Sequence, residues 1–306
     1  MKNICYFQHD PEELLIMEAL LEDILRSELG NAFHIERMSP VTGGDSNRAV
    51  RVDGTDRSLF VKIRPGRDRT MFETEAEGLQ TLAACSLFRI PAVIAQTTIG
   101  DTTFLALEWL DLNPLGRTEH AARAGEALAA LHRMPHPRYG WHRDNFIGLG
   151  AQPNGWSDDW VDFFVSYRLK PQLARASDPV LKRSGEKICA DAARLFNGYV
   201  PEASLLHGDL WGGNTGVTAA GEIALFDPAC YFGDREADLA MTELFGGFPS
   251  AFYDAYDNAW PTDAGADSRR DFYNLYHIIN HYNLFGGGYL TQARRMAERV
   301  AALVGA

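Results

Sequence analysis

The run from His207 to Asn214, with the letters HGDLWGGN, is the feature that most constrains how this 306-residue chain can fold. Asn214 follows Asp209 by five positions, and a second carboxylate, that of Asp227, follows Asp209 by 18 positions in the sequence FDP. Glycine, aspartate and asparagine also dominate ordinary turns, so a plain turn is the alternative explanation. The added asparagine and the later apolar-Asp-Pro triplet favour a chemical role over a plain turn.

This set of side chains suits phosphoryl transfer. The offset between Asp209 and Asn214 equals the Asp-to-Asn offset in the catalytic loop of kinases. In that reaction one carboxylate orients the attacking hydroxyl, while another carboxylate and an amide oxygen hold Mg²⁺ on the phosphates. The run and Asp227 together supply one candidate group for each of these tasks.

The overall composition narrows the class of partner. The chain is 46% hydrophobic and 23% charged, which is typical of a globular protein with a packed core. Its net charge of −12 argues against DNA or RNA as the main partner. A nucleotide such as ATP remains possible, because its site needs only a local lysine and a metal ion.

The four cysteines stand apart, and none forms a C-x-x-C pair, so neither a zinc ribbon nor a disulfide framework is indicated. The N-terminus lacks a basic segment followed by an apolar stretch, and no window approaches the ~18 apolar residues of a membrane span. We therefore expect a cytoplasmic protein that does not bind membranes, and we expect it to be a monomer.

The order of predicted elements defines the fold class. Before about residue 110 the pattern predicts helices and a small antiparallel sheet, and after it helices dominate. We predict an α+β, two-lobed protein-kinase-like fold, with an ATP-binding N-lobe at 1–110 and a mostly helical C-lobe at 111–306 that carries the catalytic loop and acceptor site. The predicted strands are 33–38, 48–52, 59–63, 93–99, 103–109, 204–206 and 222–226. The predicted helices are 11–29, 71–85, 118–134, 157–175, 179–197, 236–245, 250–260, 268–285 and 289–304.

Lys62 lies within the apolar strand Leu59–Ile63, where a central lysine is costly unless it is paired. In kinases such a lysine grips the α- and β-phosphates and pairs with a helix glutamate. Glu75 is our candidate partner, with Glu73 and Glu77 as rivals. An edge-strand lysine that points to water is the alternative.

Two further segments of the N-lobe are candidates for nucleotide contact. Gly43 and Gly44 lie between two predicted strands, where backbone N–H groups can approach phosphates, although most such pairs are hairpin turns. Glu108 and Leu110 end the last strand, and at a lobe hinge the Glu108 carbonyl and the Leu110 N–H would meet the adenine edge. A strand end without a ligand is the alternative there.

One aspartate and three histidines are candidates for structural roles. Asp238 enters an apolar helix, and a buried aspartate needs donors, which the backbone of the catalytic loop could supply; an ordinary helix start is the alternative. We expect His207 to hold the loop rather than to carry protons. His277 and His281 have metal-capable spacing, but without a third ligand we favour a satisfied helix face over zinc.

Taken together, the chain resembles the fructosamine/ketosamine kinases, which are relatives of aminoglycoside and choline kinases. The resemblance runs nearly end to end. Its more specific blocks are GWHRDNFIG at Gly140–Gly148, DLWGGN at Asp209–Asn214 and FGGF at Phe245–Phe248. Further matches lie at Gly43-Gly44, Val61-Lys62, 71–79, 152–169, 226–236 and 276–281.

That resemblance implies ATP- and Mg²⁺-dependent phosphorylation of a sugar hydroxyl on a ketosamine, with a role in deglycation. It implies that Asp209 is the catalytic base, that Asn214 and Asp227 hold Mg²⁺, and that Lys62 and Glu75 form the phosphate-gripping pair. On the acceptor side it implies that Trp211 stacks on the sugar. Asn145 and Trp156 are further acceptor-side candidates, and the alternative is that their sequence blocks shape the lobe instead.

The sequence departs from the patterns of related kinases at two places. Asp227-Pro228-Ala229 stands where protein kinases have Asp-Phe-Gly, and Asp45 stands where some relatives have cysteine, so a thiol switch at that turn is not expected.

Three rival functions remain. They are a kinase for another small alcohol (an aminoglycoside, choline or homoserine), a non-catalytic nucleotide-binding protein, and a metal-dependent hydrolase. The sequence lacks the cluster of His and Asp metal ligands that such a hydrolase needs, which argues against this last function.

Overall fold

The structure is a computed structural model, and it describes residues 11–41 and 48–305, without the side chains of residues 11–17. These residues form two compact units. The first contains the described residues up to Gln80 together with Pro91–Leu110, and the second contains Thr81–Ile90 together with the chain from Asp111 onwards. The segment Thr81–Ile90, which a division at residue 110 assigns to the N-lobe, thus belongs to the second unit.

The first unit is built on a five-stranded antiparallel sheet with the strand order β1-β2-β3-β5-β4. Its helix α1 ends where Gly30 takes a φ of +105°, a conformation that glycine adopts without strain. The strands predicted in this region are all present. The elements are α1 (Pro11–Leu29), β1 (Ile35–Pro40), β2 (Arg48–Gly54), β3 (Ser58–Pro65), α2 (Thr70–Ala84), β4 (Val93–Ile99) and β5 (Thr102–Glu108).

The core of this unit follows from the period-2 alternation of its strands. Leu59 and Val61 on β3 are fully buried, and they share one hydrophobic cluster with Leu21 and Leu25 of α1. Burying each such side chain stabilises the fold by about 1.5–3 kcal/mol. The cluster fixes which side of β3 faces α1. Because side chains alternate along a strand, it also fixes the opposite side as the one on which Lys62, next to Val61, emerges.

The second unit is mostly helical, as predicted. Its helices are α3 (Thr118–His132), α4 (Trp160–Phe164), α5 (Lys170–Arg175), α6 (Pro179–Asp191), α7 (Glu236–Leu244), α8 (Ser250–Ala259), α9 (Ala266–Phe285) and α10 (Leu290–Gly305). Its strands are β6 (Leu112–Asn113), β7 (Tyr139–Gly140), β8 (Asn145–Ile147), β9 (Gly150–Gln152), β10 (Trp156–Ser157), β11 (Ser204–Leu206), β12 (Thr215–Thr218), β13 (Ile223–Leu225) and β14 (Tyr231–Gly233).

The strands around the catalytic loop differ from a simple hairpin. β11 and β13 are the strands predicted at 204–206 and 222–226, but they do not pair with each other. β11 lies in the sheet β10-β7-β14-β11, while β13 pairs with β12 in the sheet β13-β12-β6. The catalytic loop therefore connects two sheets, which fixes it at both ends.

The helix predicted at 157–175 is interrupted. Asp159 caps α4 by accepting a hydrogen bond from the Asp162 N–H, so the helix begins later than predicted. Val165–Leu169 then forms a π-helical turn before α5. Such turns shift the side-chain register, and here the turn carries Arg168, which is fully buried.

Within residues 11–41 and 48–305, no helix is long and apolar enough to cross a membrane.

Candidate functional site

The catalytic loop begins directly after β11 with His207, Gly208 and Asp209. Gly208 has a φ of +81°, and a Cβ atom added to it would lie 2.1 Å from the carbonyl oxygen of Ala229. Only glycine combines that backbone conformation with that close approach. The Ala229 N–H also donates to the His207 carbonyl at 2.8 Å, so the segment after Asp227 packs directly on the catalytic loop.

Asp238 on α7 anchors this loop. Its carboxylate is 1% exposed and accepts hydrogen bonds from the backbone N–H groups of His207 at 2.8 Å and Gly208 at 2.9 Å. These are the contacts that the sequence predicts for Asp238. His132 Nε2 lies 3.2 Å from the same carboxylate. Burial opposes ionisation of Asp238, but the hydrogen bond and charge of His132 outweigh it and hold the pKa below its usual range.

His207 holds the loop, as expected from the sequence. Its side chain is buried, and burial lowers its pKa, so the ring is neutral near pH 7. Its Nε2 lies 3.1 Å from the Phe226 carbonyl and its Nδ1 accepts from the Asp209 N–H at 3.3 Å. A neutral ring with its proton on Nε2 satisfies both contacts and joins the catalytic loop to the residue before Asp227.

Asn214 orients Asp209. The amide nitrogen of Asn214 donates both to the backbone carbonyl of Asp209 at 2.8 Å and to its carboxylate Oδ2 at 3.0 Å. Burial raises the pKa of Asp209 to about 7, with smaller contributions from the charges of Asp227 and Asp238, against the opposing Asn214 hydrogen bond. A carboxylate with a pKa near neutrality is suited to accept a proton at physiological pH.

Asp227 has a left-handed backbone, with a φ of +55°, which is uncommon for residues other than glycine. It lies two residues after the end of β13, and the Phe226 N–H donates to the Asn214 carbonyl at 3.2 Å. Two sheets and this bond therefore hold a strained aspartate near Asn214 and Asp209. Strain of this kind is found where function fixes the position of a side chain.

The oxygen atoms of this site suit magnesium. The amide nitrogen of Asn214 is committed to Asp209, which leaves its Oδ1 as an acceptor, and Asp227 is partly exposed. Mg²⁺ prefers such oxygens, uses few protein ligands and completes its shell with water and phosphate. In the part of the chain that the structure describes, no group of three or more His, Cys, Asp or Glu side chains could form an all-protein metal cage.

The hairpin of β8 and β9 supports the segment after Asp227. Asn145 Nδ2 donates to the Cys230 carbonyl at 2.8 Å, and Gln152 Nε2 donates to the Ala229 carbonyl at 3.1 Å. Gln152 also donates to Asn145 Oδ1 at 2.8 Å and accepts from the Tyr276 hydroxyl at 2.7 Å. Asn145 is 5% exposed.

These contacts change the interpretation of Asn145. Its amide is committed to the protein, so the structure favours a positioning role over the acceptor contact that the sequence suggested. Gln152 supports the same segment through its hydrogen bonds, and the sequence reasoning assigned it no role. The sequence signal for this role is an amide residue at each end of the β8–β9 hairpin, which turns at Gly148, where φ is +56°.

Trp211 lies within the catalytic loop and is partly exposed. Its indole ring covers Gly213, where an added Cβ atom would lie 2.3 Å from the ring, and it makes an edge contact with Phe245 at 5.6 Å between ring centroids. Trp156 lies elsewhere, on β10, where its ring stacks on His136 at 4.4 Å. The ring of Phe232 also stacks on His136, at 4.5 Å between ring centroids. Trp156 therefore belongs to an aromatic stack separate from Trp211.

In the first unit, Lys62 and Glu75 form the predicted ion pair. Lys62 Nζ lies 2.6 Å from Glu75 Oε1, and the two side chains are 6% and 10% exposed. The rival Glu73 is 40% exposed and lies 3.8 Å from Arg69. The pair is thus selected by burial, since a buried lysine requires a counter-charge.

The other predicted contacts of the first unit are backbone groups. Glu108 ends β5, its N–H donates to the Ala92 carbonyl at 2.9 Å, and Leu110 follows two positions later. Gly43 and Gly44 lie outside the described residues.

His277 and His281, whose spacing is compatible with a metal site, both lie on α9 of the second unit. His281 Nδ1 lies 2.8 Å from the His277 carbonyl oxygen. Burial lowers the pKa of His277 to about 3.

One unit has an antiparallel sheet with a buried Lys–Glu pair, and the other is mostly helical and carries Asp209 and Asn214 on one loop and Asp227 after β13. These are the parts of a phosphotransferase with a protein-kinase-like fold. An aminoglycoside phosphotransferase, APH(4)-Ia, has the same fold, with a TM-score of 0.65 over 96% of this chain and 98% of that one at 16% identity.

The comparisons identify the family. The model of the fructosamine kinase family matches residues 17–302, so the chain belongs to that family. It is 41% identical to a probable ketoamine kinase from Synechocystis over 88% of this chain and 92% of that protein. A crystal structure from Haemophilus somnus, provisionally assigned as a fructosamine-3-kinase, gives a TM-score of 0.84 at 27% identity, covering 92% of this chain and 96% of that one.

Proposed function

We propose that this chain transfers the γ-phosphoryl group of ATP to a sugar hydroxyl of a ketosamine, with Mg²⁺ as the metal ion. The observation that carries the proposal is the Asp209 carboxylate, which Asn214 orients at 3.0 Å beside the strained Asp227. Its product would be unstable, which gives the reaction a role in deglycation. We further propose that the protein acts in the cytoplasm, as a monomer, on small-molecule or protein-bound ketosamines.

Asp209 acts as the catalytic base. It orients the acceptor hydroxyl for in-line attack and accepts its proton as the bond to phosphorus forms. The pKa of about 7 leaves the carboxylate partly protonated in the free protein near neutral pH. A cation bound nearby favours the ionised form and would lower that pKa.

Asn214 Oδ1 and the Asp227 carboxylate hold Mg²⁺, which supplies charge neutralisation at the phosphates when it is bound. Asp238 and His207 keep the loop in place through the contacts described above. Asn145 and Gln152 hold the carbonyls of Cys230 and Ala229 and so position Asp227.

The first unit supplies the nucleotide contacts. Lys62, held by Glu75, grips the α- and β-phosphates. Gly43 and Gly44, which lie outside the described residues, are the sequence candidates for further phosphate contacts. The Glu108 carbonyl and the Leu110 N–H bind the adenine edge. The pairing of Lys62 with Glu75 at 2.6 Å supports the role of this lysine at the phosphates, because it holds a buried cation in a fixed place.

On the acceptor side, Trp211 stacks on the sugar, because its partly exposed ring follows the base by two positions. Trp156 lies at the periphery of the acceptor side, because its ring already stacks on His136 at 4.4 Å.

The experiment is product analysis with fructosamine, ribulosamine and erythrulosamine acceptors side by side, with choline, homoserine and an aminoglycoside as comparison alcohols. We expect a phosphorylated ketosamine and an equal amount of ADP. Faster turnover of choline, homoserine or the aminoglycoside would contradict the proposal. Stabilisation by ATP and Mg²⁺ without turnover of any acceptor would indicate a non-catalytic nucleotide-binding protein.

A further inference from the structure

Arg168 is a fully buried cation of the second unit. Its guanidinium donates to the carbonyl oxygens of Pro153 at 2.8 Å and Tyr167 at 3.0 Å, and to Asn154 Oδ1 at 2.8 Å. In the part of the chain that the structure describes, its Nε has no hydrogen-bond partner and no carboxylate forms an ion pair with it. An apolar side chain of similar size would fill this place at lower cost. The arginine therefore needs an explanation beyond packing.

The aromatic contacts of Arg168 lead to the segment after Asp227. The guanidinium lies 4.0 Å from the centre of the Tyr231 ring and 4.8 Å from that of Phe163. Ring faces attract cations, so these contacts offset part of the cost of burial. Tyr231 begins β14 and follows Asp227 by four positions. Arg168 thus contacts the far end of the segment Asp227–Tyr231 directly.

Hydrogen bonds through two amide side chains also connect Arg168 to that segment. Asn154 Nδ2 donates to Asn145 Oδ1 at 2.9 Å, and Asn145 Nδ2 donates to the Cys230 carbonyl at 2.8 Å. A guanidinium can only donate, and a backbone carbonyl can only accept. The bonds between Arg168 and Cys230 therefore all run in one direction, which gives each amide a single orientation.

The backbone of Asp227 depends on support of this kind. Its φ of +55° is uncommon for a residue other than glycine, and strained backbone persists only where the surrounding structure over-determines it. Without Arg168, Asn154 Oδ1 loses its donor at 2.8 Å, and nothing holds this amide toward Asn145 alone. When Asn154 turns away, Asn145 Oδ1 keeps only the hydrogen bond from Gln152 at 2.8 Å.

On this basis, and resting on the proposed function, we infer that Arg168 is a positioning residue for the magnesium ligand Asp227. It acts through Asn154 and Asn145 on the backbone that follows Asp227. Because Arg168 is fully buried, it contacts no substrate. Its effect is confined to where it holds Asp227 relative to Asn214.

The test measures binding of the non-hydrolysable ATP analogue AMP-PNP by calorimetry, once with Mg²⁺ and once with EDTA. Arg168→Met and Asn154→Ala are compared with wild type, separately and combined. We expect each variant to lose about 10-fold in affinity with Mg²⁺ and to keep the wild-type affinity with EDTA, because residues that orient metal ligands contribute about 10–100-fold to metal affinity. The double variant should lose no more than the weaker-binding single variant, since the two residues act along one path.

Steady-state kinetics give a second measurement on the same variants. The Mg²⁺ concentration for half the maximal rate should rise about 10-fold. At saturating Mg²⁺, kcat should stay near the wild-type value, because Arg168 acts on metal binding and not on the base.

Arg269→Met is the matched control. Arg269 is another buried arginine of the second unit, and its guanidinium lies 3.9 Å from the centre of the Tyr199 ring. It pairs with Glu236 at 2.7 Å on a different helix from the site. Its loss should lower the melting temperature, while both AMP-PNP affinities stay at the wild-type values.

An unchanged affinity with Mg²⁺ in the folded single variants, or an equal loss with EDTA, would overturn the inference. The same magnesium-specific loss in Arg269→Met, or failure of both single variants to fold in thermal melting, would also overturn it, because either result assigns Arg168 to general stability. A wild-type protein that binds AMP-PNP no more tightly with Mg²⁺ than with EDTA would contradict the magnesium site of the proposed function, and the inference with it.

Discussion

Replacing Asp238 with alanine removes the acceptor that holds the catalytic loop. The carboxylate is 1% exposed and accepts from the N–H groups of His207 at 2.8 Å and Gly208 at 2.9 Å. The His132 ring loses its partner at 3.2 Å as well. His207 and Gly208 are both buried, so the variant leaves their N–H groups without a protein acceptor.

The expected cost follows from those contacts. An unsatisfied buried donor costs about 1–3 kcal/mol, and the two backbone N–H groups alone account for about 2–6 kcal/mol. Removing a buried charge recovers part of its desolvation energy, which reduces the total. We expect Asp238→Ala to lower the free energy of unfolding by about 3–5 kcal/mol. Asp238→Asn should lose about half as much, because one amide oxygen can still accept from one N–H while its NH₂ group faces the other donor.

Urea unfolding followed by tryptophan fluorescence measures this difference, and the chain has 6 tryptophans. Glu243→Ala on the same helix is the control, because its side chain is 41% exposed and pairs at the surface with Arg270. It should change the free energy by no more than about 0.5 kcal/mol. If Asp238→Ala destabilised the protein no more than Glu243→Ala does, the anchoring role of Asp238 would be refuted.

Three further predictions concern other parts of the structure. Lys62→Met should reduce kcat/KM for ATP by about 10²–10³-fold, as expected for one lost phosphate-stabilising charge, and steady-state kinetics measure it. Gly208→Ala should abolish activity and lower the melting temperature, because its φ of +81° disfavours alanine and the new Cβ would lie 2.1 Å from the Ala229 carbonyl oxygen. The hydrogen bond from Arg294 lowers the pKa of Asp178 from 3.8 to about 2. The stability advantage of wild type over Asp178→Asn should therefore be present above pH 3.8 and disappear as the pH falls through about 2 in acid-unfolding curves.

Each of these has a contradicting result. Near-normal ATP kinetics in Lys62→Met would remove the lysine from the nucleotide site. A folded and active Gly208→Ala protein would mean that the loop tolerates a different backbone. A stability difference for Asp178→Asn that grew as the pH fell would reverse the sign of the linkage, since a depressed pKa contributes stability only while the carboxylate is ionised.

Much of the first unit was predictable from local sequence. Strand β3 reads as an apolar stretch with a lysine in it, and a buried lysine needs a carboxylate, so its pairing with Glu75 followed from electrostatics. The choice of Glu75 over Glu73 also followed from helix periodicity, because Phe72, Ala76 and Leu79 define the buried side of α2.

The short strands of the second unit were not predictable in the same way. β7, β8, β9, β10 and β14 have two or three residues each, which is too short for an alternating pattern to appear. Their pairing is set by tertiary contacts, such as the amide of Asn145 on the Cys230 carbonyl. For this reason the role of Asn145 could be seen only in the structure.

The π-helical turn at Val165–Leu169 is a second example. Hydrophobic spacing predicted one continuous helix over 157–175. That spacing does not indicate that the single turn at Val165–Leu169 is wider than an α-helical turn. The turn allows the Arg168 guanidinium to lie 4.0 Å from the centre of the Tyr231 ring and to donate to Asn154 Oδ1 at 2.8 Å. A buried arginine in this place follows from packing, which the sequence pattern does not show.

The most direct test of the central claim is product analysis of Asp209→Asn with the best ketosamine acceptor, ATP and Mg²⁺, together with a measurement of ATP binding. The account predicts that wild type forms phosphorylated ketosamine and ADP in equal amounts. It predicts that the variant binds ATP normally and forms no product above background, because an amide cannot accept the hydroxyl proton. Near-wild-type product formation by Asp209→Asn, or ADP release by wild type without a phosphorylated ketosamine, would contradict it.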